Sequence, residues 1–160
     1  MFEITLITMG KLKEKFYISA AAEYVKRLSG YCRFNLLELP EARLPEDPSP
    51  AEIAAGLEKE AELIFSKIPK NAWFCVFTPE GKVISSEAFA AKLSEVKLAG
   101  KSSGCFLIGS SFGISPRVKE KADFKLSMGP MTFPHHLARI MVLEQLYRAE
   151  AIQAGSKYHK

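Results

Sequence analysis

Five short apolar runs alternate with five helical stretches along the 160 residues, and no other feature constrains the fold as tightly. The candidate strands are Phe2–Met9, Arg33–Leu39, Ala72–Thr78, Gly104–Ser110 and Phe124–Met128. Several are dense in apolar residues with little alternation, the pattern of parallel strands covered on both faces. The candidate helices are Lys11–Leu28, Pro50–Ile68, Ser86–Ala99, Pro116–Ala122 and Pro134–Ala154. Ser49, Ser85 and Ser115 stand where N-cap hydroxyls satisfy free amides, and Pro50 and Pro116 follow two of them at the first helical position. Gly30, Gly100 and Gly155 fall where helices should stop. Strict βα alternation predicts a single α/β domain over residues 1–160, with a mostly parallel sheet of five to six strands and helices on both faces. On such sheets ligands bind at the carboxyl ends of the strands, which points to Phe77–Gly81, Gly109–Gly113 and Met128–Phe133. The one long loop, Pro40–Ser49, carries Glu41, Glu46 and Asp47 and is expected to be a solvated surface connection.

Composition narrows the setting. Hydrophobic residues make up 48% and charged residues 25%, the proportions of an ordinary globular protein. The opening Met1-Phe2-Glu3-Ile4 has no basic segment leading into an apolar stretch, so no secretory signal is expected. No uncharged apolar run reaches the length of a membrane span. A cytoplasmic protein is the expectation. The net charge of +4 permits a polyanionic partner without demanding one. Cys32, Cys75 and Cys105 lack metal-like spacing, and the last two sit in strand sequences, which suggests buried apolar fillers.

The last helix is unusual. Leu137, Ile140, Met141, Val142, Leu143 and Leu146 are scattered around its whole circumference rather than along one stripe. A helix apolar all round must be covered all round, either by a second subunit of a homodimer or by threading through the core of one chain. Arg139, Glu144 and Arg148 are ionic groups within this apolar helix, and Glu144 and Arg148 have the i,i+4 spacing of an ion pair.

Three constellations bear on chemistry. Gly109-Ser110-Ser111-Phe112-Gly113 matches the G-x-S-x-G elbow of serine hydrolases, with Asp123 and His135, His136 or His159 as triad partners in chain order. The other reading is that the two glycines let backbone approach a flat ligand. Met128-Gly129-Pro130-Met131-Thr132-Phe133-Pro134 joins the last strand to the last helix. It is either a structural turn or a rigid backbone edge suited to an adenine. His135 and His136 are adjacent, point about 100° apart on a helix and make a poor chelate, so no metal is expected. Neither a dinucleotide fingerprint nor a phosphate-binding lysine loop is present.

Taken in order, several segments resemble the RlmH-type family of SPOUT (α/β-knot) methyltransferases, the ribosomal pseudouridine N3-methyltransferases. They are Ile4-Thr5-Leu6 with Gly10-Lys11-Leu12-Lys13, Gly81-Lys82 with Ser85-Ser86-Glu87, and Phe106-Leu107-Ile108-Gly109 with Gly113. Leu126-Ser127, Met131-Thr132-Phe133-Pro134-His135, Glu144-Gln145, Tyr147-Arg148-Ala149 and the closing Tyr158-His159-Lys160 complete the set. The resemblance covers essentially the whole chain. It implies a C-terminal trefoil knot, a homodimer and S-adenosyl-L-methionine as methyl donor. The implied substrate is a pseudouridine of 23S ribosomal RNA in the helix 69 region, within the assembled ribosome. By position it assigns Phe77, Gly109, Met128, Gly129, Pro130, Met131, Thr132 and Phe133 to the cofactor cleft. His159 and Arg148 are the candidate catalytic residues, with Tyr158 at the target base and Glu144 orienting Arg148. Lys11, Lys13, Lys15, Lys157 and Lys160 are candidates for phosphate contacts. Two positions depart from the family: Ser110 follows Gly109 where many relatives have a second glycine, and Phe77 replaces a leucine. Both reshape the cleft more than its chemistry. The competing readings are a ribosome-binding module of the same fold without methyl transfer, and a hydrolase using Ser111.

Overall fold

In the computed structural model, which describes residues 1–160, the ten expected elements form in the expected order. They are β1 (Glu3–Met9), α1 (Lys15–Leu28), β2 (Arg33–Leu39), α2 (Pro50–Lys67) and β3 (Trp73–Val83), then α3 (Ser86–Leu98), β4 (Ser103–Ile108), α4 (Pro116–Lys121), β5 (Phe124–Ser127) and α5 (His135–Gln153). One sheet contains all five strands in the order β2-β1-β4-β3-β5, and every pairing is parallel.

The strands read as apolar runs because both faces of the sheet are covered. Ile4 and Leu6 of β1, Phe106 and Ile108 of β4, and Trp73 and Cys75 of β3 point into a larger core beneath α1, α3 and α5. Ile7 and Met9, Cys105 and Leu107, and Phe74 and Val76 point the other way, against Ala61 and Ile64 of α2 and Val118 of α4. The three cysteines are buried and free, and burial pushes the thiols of Cys32 and Cys105 up to about 12. They act as apolar fillers.

The helix starts obey local chemistry. Ser49 caps α2 in a full capping box: its hydroxyl accepts from the Glu52 amide, and the Glu52 carboxylate accepts from the Ser49 amide. Ser85 and Ser115 accept from Ala88 and Arg117 in the same way. Helix α1 begins at Lys15 rather than Lys11. Gly10, at φ +79°, turns the chain out of β1, and Leu12 packs on the core before any helical turn forms.

Strand β3 runs five residues beyond the expected Thr78. It breaks at a bulge after Phe77 and pairs again with β5 through Lys82 and Val83. Gly81 makes this possible, since a Cβ there would lie 2.6 Å from the Leu126 backbone. Pro79 and Gly81 hid this extension from a propensity reading.

Helix α5 crosses the larger core between α1 and α3, burying Val142, Leu143, Leu146 and Ala149. Two flanking helices thus account for part of its all-round apolar character within one chain. Leu137, Ile140 and Met141 stay only partly covered.

Candidate active site at the carboxyl ends of the sheet

The bulge of β3 and the loops leaving β4 and β5 converge on a cleft of about 320 Å³. Phe77, Gly109 and Met128 through Phe133 all line it, so the eight positions expected to hold a cofactor come together. Ile108, Ser110, Ser127, Lys119 and His135 also line it; none of them is among the positions assigned to the cofactor from the sequence, and Lys119 was not singled out at all.

Close backbone packing shapes the cleft floor. A Cβ on Gly109 would lie 2.5 Å from the Gly113 carbonyl oxygen and 2.5 Å from Ile114 Cγ1, so only glycine fits. Ser110 and Gly113 form an isolated bridge that folds this loop back on itself. On the opposite wall, Gly129 has φ +111°, and its amide donates to Ser127 Oγ at 3.1 Å. No protein acceptor takes the amides of Met131, Thr132 or Phe133. That edge of the turn therefore keeps unpaired main-chain donors beside the cleft. Phe77 is half-buried and packs 6.4 Å, centroid to centroid, from Phe106, which holds its ring as one flat wall.

The triad expected of a hydrolase does not assemble. Asp123 lies at the amino end of the sheet, where its carboxylate accepts from the Phe74 amide at 2.8 Å. Ser111 is exposed and hydrogen-bonds no imidazole, while His135 faces Glu41 at 3.5 Å and His136 faces Glu14 at 3.8 Å. No group of three or more His, Cys, Asp or Glu side chains is placed to hold a metal ion.

The four candidate catalytic residues also come together, but in a different place. Arg148 donates through Nε to Glu144 at 2.8 Å and through Nη2 at 2.5 Å. Its Nη1 lies 3.0 Å from His159 Nδ1. A guanidinium cannot accept a hydrogen bond, so Nδ1 must present its lone pair. The proton of the neutral ring then sits on Nε2, which donates to Glu87 at 2.7 Å. Tyr158 donates to Glu144 at 3.1 Å, and Arg148 lies 4.8 Å over its ring. Burial first, then the Glu144 charge, pushes the Tyr158 phenol up to about 12. The bond to Glu144 is the main cause of the raised pKa of Arg148. The tail is thus tied down rather than frayed.

In the sequence Glu87 figures only in the Ser85-Ser86-Glu87 segment of the resemblance, with no role assigned. It is the first-turn acid of α3, and the bond from His159 is the main cause of its lowered pKa. Sequence spacing carried no signal for a partner 72 residues away. Arg139, by contrast, takes no part in this cluster. It is 1% exposed and donates to Glu38 at 2.7 Å and to the Gly10 carbonyl at 2.9 Å, bracing α5 against the end of β1.

None of Glu144, Arg148, Tyr158 and His159 lines the strand-end cleft. Glu144 lines an adjoining apolar groove of about 480 Å³ together with Tyr24, Val83, Ile84, Phe89, Ile140 and Met141. Groove and cleft meet at Phe77, Ser127 and Met128.

Comparison with known proteins agrees with this architecture. The tRNA (m1G37) methyltransferase of Aquifex aeolicus superposes with a TM-score of 0.51 at 15% identity, covering 92% of this chain and 69% of that one, a likeness of fold alone. The "Ribosomal RNA large subunit methyltransferase H" of Carboxydothermus hydrogenoformans is 46% identical over 158 residues, 99% of each chain. The protein of the same name from Clostridium acetobutylicum is 46% identical over 157 residues, 98% of this chain and 99% of its own. The family model described as "Predicted SPOUT methyltransferase" matches residues 2–159. From end to end, the chain belongs to the SPOUT methyltransferase family.

Proposed function

We propose that this chain methylates large-subunit ribosomal RNA from S-adenosyl-L-methionine, at N3 of a pseudouridine in the helix 69 region of the assembled ribosome, as a cytoplasmic homodimer. One observation carries the reading most: the eight positions assigned to a cofactor line one cleft in a chain that matches large-subunit methyltransferases over its full length. No helix is long and apolar enough to cross a membrane.

The cleft suits the methyl donor. Its volume falls in the range of small-molecule sites, Phe77 offers a flat apolar wall, and the amides of Met131, Thr132 and Phe133 are free for the edge of a purine. Bound there, S-adenosyl-L-methionine supplies an activated methyl group on a sulfonium. The protein's task is then chiefly to align the acceptor and manage its proton.

N3 of pseudouridine bears an imide proton that must leave as the nitrogen attacks. The Arg148 charge favours the anion, Glu144 holds that charge in place, and Tyr158 presents a ring edge or hydroxyl to the base. His159 accepts the proton on Nδ1 once the incoming base displaces Arg148 from it. Because this cluster is absent from the cleft of its own chain, the tail of a second copy completes each site. The half-covered Ile140 and Met141 of α5 supply an apolar surface for that second copy. The trefoil knot belongs to the same reading: α5 leaves edge strand β5 and returns across the sheet to lie between α1 and α3.

The test is methyl transfer from labelled S-adenosyl-L-methionine to ribosomes lacking the modification, with free ribosomal RNA beside them. Label at a large-subunit pseudouridine in the ribosomes is the expected result. Cofactor binding without transfer to either would favour the non-catalytic ribosome-binding module.

A further inference from the structure

The loop between β2 and α2 is largely exposed, as expected of a solvated connection, but Ala42 and Leu44 lie against one face of α2. Leu44 covers Gly56, where a Cβ would meet Leu44 Cδ2 at 2.8 Å. One turn further along α2 stands Glu60, only 6% exposed. Its two oxygens hold two different loops. Oε2 accepts the Ala42 amide at 2.9 Å, and Oε1 accepts the Ser110 hydroxyl at 2.9 Å. Ser110 lines the cleft beside Gly109, whereas Ala42 does not line it. The segment touches the cleft at a second point through Glu41, which packs over Gly10 and faces His135 of the cleft wall at 3.5 Å.

A buried carboxylate without a cation is costly, and no lysine, arginine or histidine is paired with Glu60. Two donors from separate strand-end loops satisfy it instead, so the loops are joined through one side chain. We infer that Glu60 is a positioning residue of the cofactor cleft. It ties segment Pro40–Leu44 to the Gly109–Gly113 loop, so that filling the cleft also orders that segment. This rests on the cofactor reading above.

The test uses the full chain with S-adenosylhomocysteine as probe, combining calorimetric binding with amide hydrogen exchange. In the wild type the probe slows exchange of the Ala42 amide, a residue outside the cleft. Glu60→Gln preserves this, because its carbonyl can take the Ala42 amide while its NH2 group donates to Ser110. Glu60→Ala binds about tenfold more weakly and loses the protection at Ala42. A Glu60→Ala protein that unfolds as cooperatively as the wild type and binds with unchanged affinity overturns the inference. So does a wild type whose Ala42 exchange ignores the probe, a measurement that needs no variant to fold. A wild type that binds no probe at all overturns the cofactor reading and this inference with it, and is thereby told apart from the other two results.

Discussion

Arg148 is held from three directions, by Glu144, by the lone pair of His159 and by the ring of Tyr158 beneath it. That geometry uses the planar fork of a guanidinium, which a lysine ammonium cannot reproduce. Arg148→Lys is therefore expected to bind S-adenosylhomocysteine normally and to lose about 10²-fold in turnover, read by calorimetry beside single-turnover kinetics. His159→Ala is expected to fall in the same assay, and full turnover in that variant would remove His159 as proton acceptor. Glu60 makes a different prediction. Burial, ahead of the bonds from Ala42 and Ser110 and helped by the nearby Glu41 charge, raises its pKa. A carboxyl with a raised pKa in the fold binds its proton more tightly folded than unfolded. The ionised form thus costs stability above the folded pKa, and that cost disappears as pH falls below the ordinary carboxylate value. Glu60→Gln should melt higher than wild type at pH 8, with the gap closing toward pH 4. A gap independent of pH would mean that the carboxyl does not titrate with folding.

At the scale of elements, what was legible in the sequence was local. Three serine caps and two first-turn prolines acted where they stood, because a cap needs only partners within four residues. Ser49→Ala removes one half of the α2 capping box and should cost about 1 kcal/mol. In a domain of this size that lowers the melting temperature by about 2–4 °C, as scanning calorimetry would show. The same strand logic picked out segments that line one cleft, although Phe77–Gly81 is a bulge within β3 rather than a strand end. Long-range features escaped. The far end of β3 passes through Pro79 and Gly81, poor strand formers held there by the Leu126 backbone. The Glu87–His159 and Glu60–Ser110 contacts join residues 72 and 50 positions apart, and no periodicity encodes such pairs. Family resemblance located the tail cluster, but it gave no sign that Arg148 occupies the His159 lone pair.

For the whole molecule, the cofactor cleft and the ionic cluster proposed to act together do not meet within one chain. The cleft lies at the strand ends, the ionic cluster lies along α5 and the tail, and an apolar groove borders both. A second copy seated on that groove would bring cleft and cluster together, and a two-fold axis would do so twice. Met141→Asp places a charge in the groove and should yield a monomer by sedimentation that no longer transfers methyl groups. Subunit complementation probes the arrangement most directly. One variant, Gly129→Val, strains the cleft turn at φ +111° with nothing within 4 Å of the added Cβ. The other, Arg148→Ala, removes the cluster's charge. Each alone should be inactive on ribosomes. When the two are unfolded and refolded together in equal amounts, random pairing leaves one intact site in each mixed dimer. About a quarter of wild-type methyl transfer should then return. Mixed dimers that form, as seen by two different affinity tags, yet recover no activity would contradict the account and place the complete site within a single chain.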